Sequence, residues 1–278
     1  MNIRLKRIYD NIKKFASDFM EGDFFGLAAE TSFYLLSTFF PMIIMVFTAG
    51  SAISLNYTDI MYNVLAFLPH KVEILLVNML KSHGESTAVI AITAALSITT
   101  MSGFILTAEK GLIRFYKLED TRGFWMSRII AVIFAVLIFV SIIASFGLII
   151  FGRIISLIIR QYTSQPEILT LWNLSRYVVI FVFIAFVISA LYKALPTVKL
   201  KLKEVLPGAL FTTVAWYIAS MLFALYVNNF PQYEIIYGSL AGFVCMIVWI
   251  YMIGVIILAG AKINALLYKR KLKREKLW

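Results

Sequence analysis

Ile235-Ile-Tyr237-Gly238-Ser239-Leu240-Ala-Gly-Phe-Val-Cys245-Met-Ile-Val-Trp249-Ile-Tyr251-Met-Ile-Gly-Val-Ile-Ile-Leu258-Ala-Gly260-Ala261 runs without one Asp, Glu, Lys or Arg. As an α-helix at 1.5 Å per residue it is about 40 Å long, more than the roughly 30 Å hydrocarbon layer of a bilayer. Working outward from it, five more charge-free windows appear: Thr31 to Thr58, Ser86 to Ala108, Ile129 to Gly152, Tyr177 to Tyr192 and Val205 to Tyr233. Apolar residues make up 61% of the chain and charged ones 15%, against roughly 45–50% and 25% in a soluble domain. A water-soluble core cannot hide that much apolar surface, so the expectation is an all-α integral membrane protein with six transmembrane helices.

The spans fall near 31–54, 87–108, 129–152, 172–193, 205–228 and 236–261, in a single polytopic domain over 1–278. The fourth window is the shortest. Leu169 to Ser175 is expected to extend that helix, with Arg176 snorkelling at one interface. Orientation follows from Lys and Arg, which are retained in cytoplasmic loops. With both termini inside, 21 of the 26 basic residues lie on the cytoplasmic side. Five or seven spans would spoil that alternation. Net charge +11 is thereby explained by topology, and a nucleic-acid partner is not expected.

Residues 1–27 carry Leu5, Ile8, Ile12, Phe15 and Phe19 at steps of three and four, opposite most of Arg4, Lys6, Arg7, Lys13 and Lys14. That stripe reads as an interfacial helix on anionic lipid, or equally as a helix on the protein's own loops. No signal-peptide pattern precedes the first span, so the N-terminus is taken as mature. Between the first two spans, Asn56 to Glu85 reads as two short amphipathic helices divided at Pro69. Residues 262–278 form a basic tail. The single Cys245 excludes an intrachain disulfide, and His70 and His83 are too isolated for a metal site. Neither metal nor cofactor is expected.

Several short motifs then fall in order. Ala28-Ala29-Glu30-Thr-Ser-Phe-Tyr-Leu-Leu-Ser37-Thr-Phe-Phe-Pro41 opens the first span, and Glu119-Asp-Thr-Arg122-Gly-Phe-Trp125-Met-Ser-Arg128 leads into the third. Tyr192-Lys-Ala-Leu-Pro196 and Leu206-Pro207-Gly208-Ala209 flank the fourth loop. Tyr237-Gly238-Ser239-Leu240 and Leu258-Ala-Gly260-Ala261-Lys262-Ile263-Asn264 belong to the last helix. Together these resemble the YihY/BrkB family of bacterial inner-membrane proteins, over about Phe15 to Tyr268. The resemblance implies a multi-pass protein of the bacterial plasma membrane. The family once carried the mistaken label ribonuclease BN, and its members are commonly described as virulence factors. Lys262 departs from the family's usual acidic residue, so no role of that carboxylate carries over.

The candidate substrate pathway consists of Glu30, Ser37, Pro41, Ser97, Thr100, Ser102, Tyr237 and Ser239. Glu30 sits at the edge of the first apolar window, either as a carboxylate favoured near a helix N-terminus or as a group facing a polar cavity. Pro41 removes a backbone hydrogen bond and is expected to kink its helix. The second span is rich in Ser and Thr, which suits close helix packing or the lining of a hydrophilic groove. Lys110, Arg114, Lys117, Arg122 and Arg128 form a cytoplasmic basic belt, through positive-inside retention alone or for lipid head groups. Lys262 reads as a cation near a helix C-terminus.

Three functions compete. The first is a transporter or lipid translocator of an amphipathic or anionic substrate, serving envelope lipid homeostasis, with anionic membrane lipids as partners. The second is a non-transporting scaffold for envelope-biogenesis proteins. The third, an RNA-processing enzyme, lacks a carboxylate cluster for metal-assisted hydrolysis. The chain is therefore expected not to be an enzyme.

Overall fold

The computed structural model describes residues 23–52, 87–119, 121–162, 166–229 and 238–275. The expected interfacial helix before residue 23 and the two short helices between 53 and 86 lie outside the described residues. Among the latter, every regular element is helical: α1 (Phe24–Ala52), α2 (Thr87–Tyr116), α3 (Phe124–Tyr162), α4 (Pro166–Ala194), α5 (Leu202–Asn229) and α6 (Ala241–Glu275), with a 3-10 turn, Gly238–Leu240, feeding α6. Among the described residues, five helices are long and apolar enough to cross a membrane, through Phe24–Met45, Ile90–Tyr116, Phe124–Ile142, Leu202–Tyr226 and Phe243–Leu272. The apolar part of α4, Val178–Ala194, is shorter.

Local chemistry sets the helix starts. Asp23, at φ 54°, accepts from Leu27 N–H at 3.1 Å, so α1 begins two turns before the expected position and buries Phe24, Leu27 and Ala28. α1 continues through Pro41 as one helix. α4 opens on Pro166, whose missing N–H costs nothing at a first helical position, with Glu167 in the first turn where the dipole favours an anion. It therefore covers the extension expected over Leu169 to Ser175. At α5, the Glu204 carboxylate accepts from Lys201 N–H at 2.8 Å while Glu204 N–H bonds the Lys201 carbonyl at 2.9 Å, a reciprocal start of the capping-box kind. α6 runs on to Glu275, so most of the basic tail is helix.

The helices form a ring in which each packs on the next and α6 closes on α1, while α2 also touches α6 across the middle. The core runs along α1, α2 and α6, through Leu27, Ala28, Ile105, Leu112, Leu258 and Ala265. α1 and α2 are antiparallel with a regular register. Arg114 meets Asp23 (3.8 Å), Thr107 donates to Glu30 (3.1 Å), Tyr34 lies over Gly103, and Thr38 donates to Thr100 (2.9 Å). A side chain at Gly103 would collide with the Tyr34 ring, so glycine is required for that approach.

Burial divides the outer helices in two. Toward the end carrying Arg114, Arg122 and Lys271, here the basic end, α3 buries Ala131, Ala135 and Phe139, α4 buries Ala185, Ser189 and Tyr192, and α5 buries Val205, Ala209 and Thr213. Past Phe139, before Ala185 and past Thr213, none of the described side chains on these helices is fully buried. Residues 214–226 of α5 cover more than three turns, and a helix packed all along would seal a stripe over that length. Instead Trp216, Ser220 and Phe223 are only half-buried.

Candidate functional site

The basic end is held shut by two polar knots. The first centres on Arg122, between α2 and α3. Its Nη1 donates to Glu109 Oε1 and to the Leu195 carbonyl, both at 2.9 Å, and its Nη2 donates to the carbonyls of Ala194 and Pro196, both at 3.0 Å. The last carbonyls of a helix lack intrahelical donors, and a planar guanidinium satisfies several at once. Ser127, on α3, also donates to Glu109 at 3.3 Å. The Glu109 side chain is 5% exposed and that of Arg122 20%. A charge pair this buried depends on both members, since removing one strands the other. Arg122 thus ties α2, the start of α3 and the end of α4 together.

The second knot joins α4, α5 and α6. The fully buried Tyr192 hydroxyl bonds Thr212 Oγ1 (2.8 Å) and donates to the Ile257 carbonyl. Asn264, also fully buried, accepts from Gly208 N–H at 2.7 Å and donates to the Val205 carbonyl at 2.9 Å. Gly208 and Gly260 let α5 and α6 touch backbone to backbone: a Cβ on Gly208 would meet the Gly260 carbonyl and the Asn264 amide. Such glycine-mediated approach is a recurrent way to lock membrane helices. Beside this knot, Lys262 is buried with its Nζ 4.5 Å above the Phe115 ring. Because α6 runs on to Glu275, a helix-end role does not account for Lys262; the ring face of α2 is what it meets.

The sequence-selected residues separate by environment. Glu30 accepts from Thr107 and lies 3.6 Å from Lys110 Nζ, both side chains being substantially exposed. The Ser37 and Ser102 hydroxyls bond back into their own helices, at 2.8 Å to Phe33 O and 2.7 Å to Thr99 O, and Thr100 does likewise toward Leu96 while accepting from Thr38. These hydroxyls are spent on packing rather than presented to an aqueous groove. Ser97 differs, being fully buried with its hydroxyl unpartnered, as is the Tyr116 hydroxyl. Pro41 is partly buried. Ser239 lies on the 3-10 turn before α6, and Tyr237 is outside the described residues. Of the belt, Lys110, Arg114, Lys117 and Arg128 are exposed, with Arg128 over the Phe124 ring at 5.9 Å, whereas Arg122 is drawn into the first knot. Among the described residues no group of His, Cys, Asp and Glu could hold a metal ion.

In the sequence Arg122 reads as one more belt cation, with nothing to mark Glu109 as its partner. Tyr192, Gly208 and Asn264 stand there only as pieces of separate motifs. The signal available was a buried-type polar residue, Asn264, inside an otherwise apolar small-residue run.

This architecture defines a helical multi-pass membrane protein. Residues 15–278 match the family described as Virulence factor BrkB, and the chain belongs to that family. A relative in Bacillus subtilis (strain 168), named as a ribonuclease-like protein, YfkH, is 30% identical over 249 residues, 88% of this chain and 90% of the relative. UPF0761 membrane proteins of Pseudoalteromonas translucida and Photobacterium profundum are 39% and 42% identical over 75 and 81 residues. These two matches span only 25% of each relative's length. No solved structure is a significant match. The protein is thus a multi-pass component of the bacterial plasma membrane.

Proposed function

We propose that the chain is a translocator of an amphipathic, anionic-headed substrate such as a phospholipid, with six spans and both termini in the cytoplasm. The observation that carries this reading is the burial asymmetry: the basic end is knotted shut, while on the opposite halves of α3, α4 and α5 none of the described side chains is fully buried and α5 keeps a side-chain bond to α6, from Trp249 Nε1 to Ser220 Oγ at 3.3 Å. Under the positive-inside orientation the closed end faces the cytoplasm and the open half faces outward and into the outer leaflet. The half-buried residues of that open half, Phe181, Phe183, Trp216 and Phe223 among them, are apolar enough to accept acyl chains. Exposed Lys110, Arg114 and Lys117 would attract anionic head groups at the inner surface. The role is transport within envelope lipid homeostasis, not enzymatic catalysis. The test is reconstitution in liposomes with fluorescent phospholipid; translocation no faster than in protein-free vesicles would sink the reading.

A second reading, a non-transporting scaffold for envelope proteins, is favoured by the hydroxyls of Ser37, Thr99 and Ser102, which are satisfied within their own helices. Crosslinking in native membranes separates the two. Recovery of lipid and self-contacts alone counts against the scaffold.

A further inference from the structure

Glu30 is the one charged residue of α1, and it stands inside the apolar span that opens at Phe24, about 9 Å along at 1.5 Å per residue. Charges within a span ordinarily turn toward the bundle interior or a water-filled cavity. This one does the opposite. α1 packs on α2 and α6, so its exposed face is the outer one. There the Glu30 side chain is 42% exposed and that of Lys110, its partner on α2, 65%. One turn nearer the basic end, Arg114 faces Asp23 in the same way, and both are exposed. Thr107, buried behind the first pair, donates to Glu30 Oε1 at 3.1 Å and holds the carboxylate at the seam.

The pairs on this edge are loose. Lys110 Nζ is 3.6 Å from Glu30 Oε1 and Arg114 Nη1 is 3.8 Å from Asp23 Oδ2, beyond hydrogen-bond reach, against 2.9 Å between Arg122 and Glu109 and 2.7 Å between Lys271 and Glu204. Cation and carboxylate thus attract across the seam without donating to each other, which leaves room for a ligand that bonds to both. Lys110 and Arg114 are four residues apart, on one face of α2. Two cations on α2 therefore stand against two carboxylates on the α1 side, and the four charges cancel. Lys117 is exposed beyond them, past the last residue of α2. Toward the middle of the span the edge runs into exposed apolar side chains, Phe33 on α1 and Leu96 and Ile92 on the Lys110 face of α2.

A lipid lying on this edge, with its chains along Phe33, Leu96 and Ile92, places its head group among the four charges. Lys110 and Arg114 attract every phosphate head group; the carboxylates beside them discriminate. A head group with net negative charge meets Glu30 and Asp23 as like charges. A zwitterion carries its own ammonium beside the phosphate and matches both rows. A primary ammonium also donates charge-assisted hydrogen bonds to a carboxylate, which a quaternary one cannot. We propose that Asp23, Glu30, Lys110 and Arg114 form a binding site for a phospholipid whose phosphate head group bears a primary amine, the chemistry of phosphatidylethanolamine, in the leaflet at the basic end. As the identity of a transported lipid it rests on the transport reading, but binding is measurable without transport.

The test is binding of phosphatidylethanolamine, phosphatidylcholine and phosphatidylglycerol with identical chains to the purified full-length protein, read lipid by lipid in native mass spectrometry. The expected result is that the ethanolamine lipid is held tightest, by about fivefold, the ratio that a contact of ~1 kcal/mol gives. Glu30→Gln keeps the shape of the side chain and an acceptor for Thr107 while removing the charge. It is expected to abolish the preference and to bring phosphatidylglycerol level with phosphatidylethanolamine or above it. Asp23→Asn, still a good residue at a helix start, is expected to shift the order in the same direction and reports separately if Glu30→Gln fails to fold. Lys110→Gln is expected to weaken all three lipids. Phosphatidylglycerol bound by the parent as tightly as phosphatidylethanolamine, no distinction between ethanolamine and choline, or a preference that survives both carboxylate variants overturns the proposal and leaves two surface ion pairs only. The binding preference without translocation removes the transport reading alone; translocation without the binding preference removes this site alone.

Discussion

The two halves of α5 have similar sequence character and opposite surroundings. From Val205 to Thr213 the helix buries Val205, Ala209, Thr212 and Thr213 and is fixed to α6 through Asn264 and to α4 through Tyr192. From Val214 to Tyr226 the same helix is no less apolar and buries nothing completely. Hydrophobicity alone therefore does not close this bundle. What closes it most fully is a set of polar groups and glycines at the basic end, whereas the other half of α5 is tied to α6 by the longer bond from Trp249 Nε1 to Ser220 Oγ at 3.3 Å; lipid competes with apolar side chains for one another, and only close packing and hydrogen bonds discriminate.

If that contrast is right, the largest effects come from the glycine crossing. Gly208→Val or Gly260→Leu drives a side chain into the partner backbone; the expected cost is about 3 kcal/mol or more, seen as loss of a monodisperse peak in size-exclusion chromatography. Arg122→Ala strands Glu109 in a buried site and releases three carbonyls, with an expected loss of about 3–5 kcal/mol. The double variant Arg122→Ala with Glu109→Ala is expected to recover part of it, and a double-mutant cycle on denaturation midpoints reads the coupling; strict additivity would remove the knot from the account. Asn264→Leu removes the two buried side-chain bonds that tie α6 to Gly208 N–H and the Val205 carbonyl, for about 1–3 kcal/mol in the same assay. Least affected is Lys110→Ala. Its pair with Glu30 is exposed, so a change below about 1 kcal/mol that shrinks as salt rises is expected.

The helices were largely legible because apolar windows and charge breaks encode them directly. Even the extension of α4 was readable from Leu169 to Ser175. The helical run beyond Lys262 was not, since charge density there looks the same in a tail and in a helix end. The candidate residues were legible as types and illegible as partners. Ser37 and Ser102 carry the same side chain as Ser97, and nothing local tells which hydroxyl will find a carbonyl. Arg122 resembles Lys117 in a charge tally, yet one is clamped by groups from residues 109 and 194–196 and the other is exposed. Those pairings are set by helix crossing, which a one-dimensional pattern does not carry.

The account stands most directly on the asymmetry along α5, which site-directed spin labelling measures residue by residue. In a Cys245→Ser background, single nitroxides from 205 to 226 are scanned for mobility and for accessibility to oxygen, which reports contact with lipid or water alike. The account predicts deep minima with helical period at 205, 209, 212 and 213, fading beyond 214 to shallow ones at 216, 220 and 223. Minima of equal depth continuing through 223 would show a bundle sealed along its length and would contradict it.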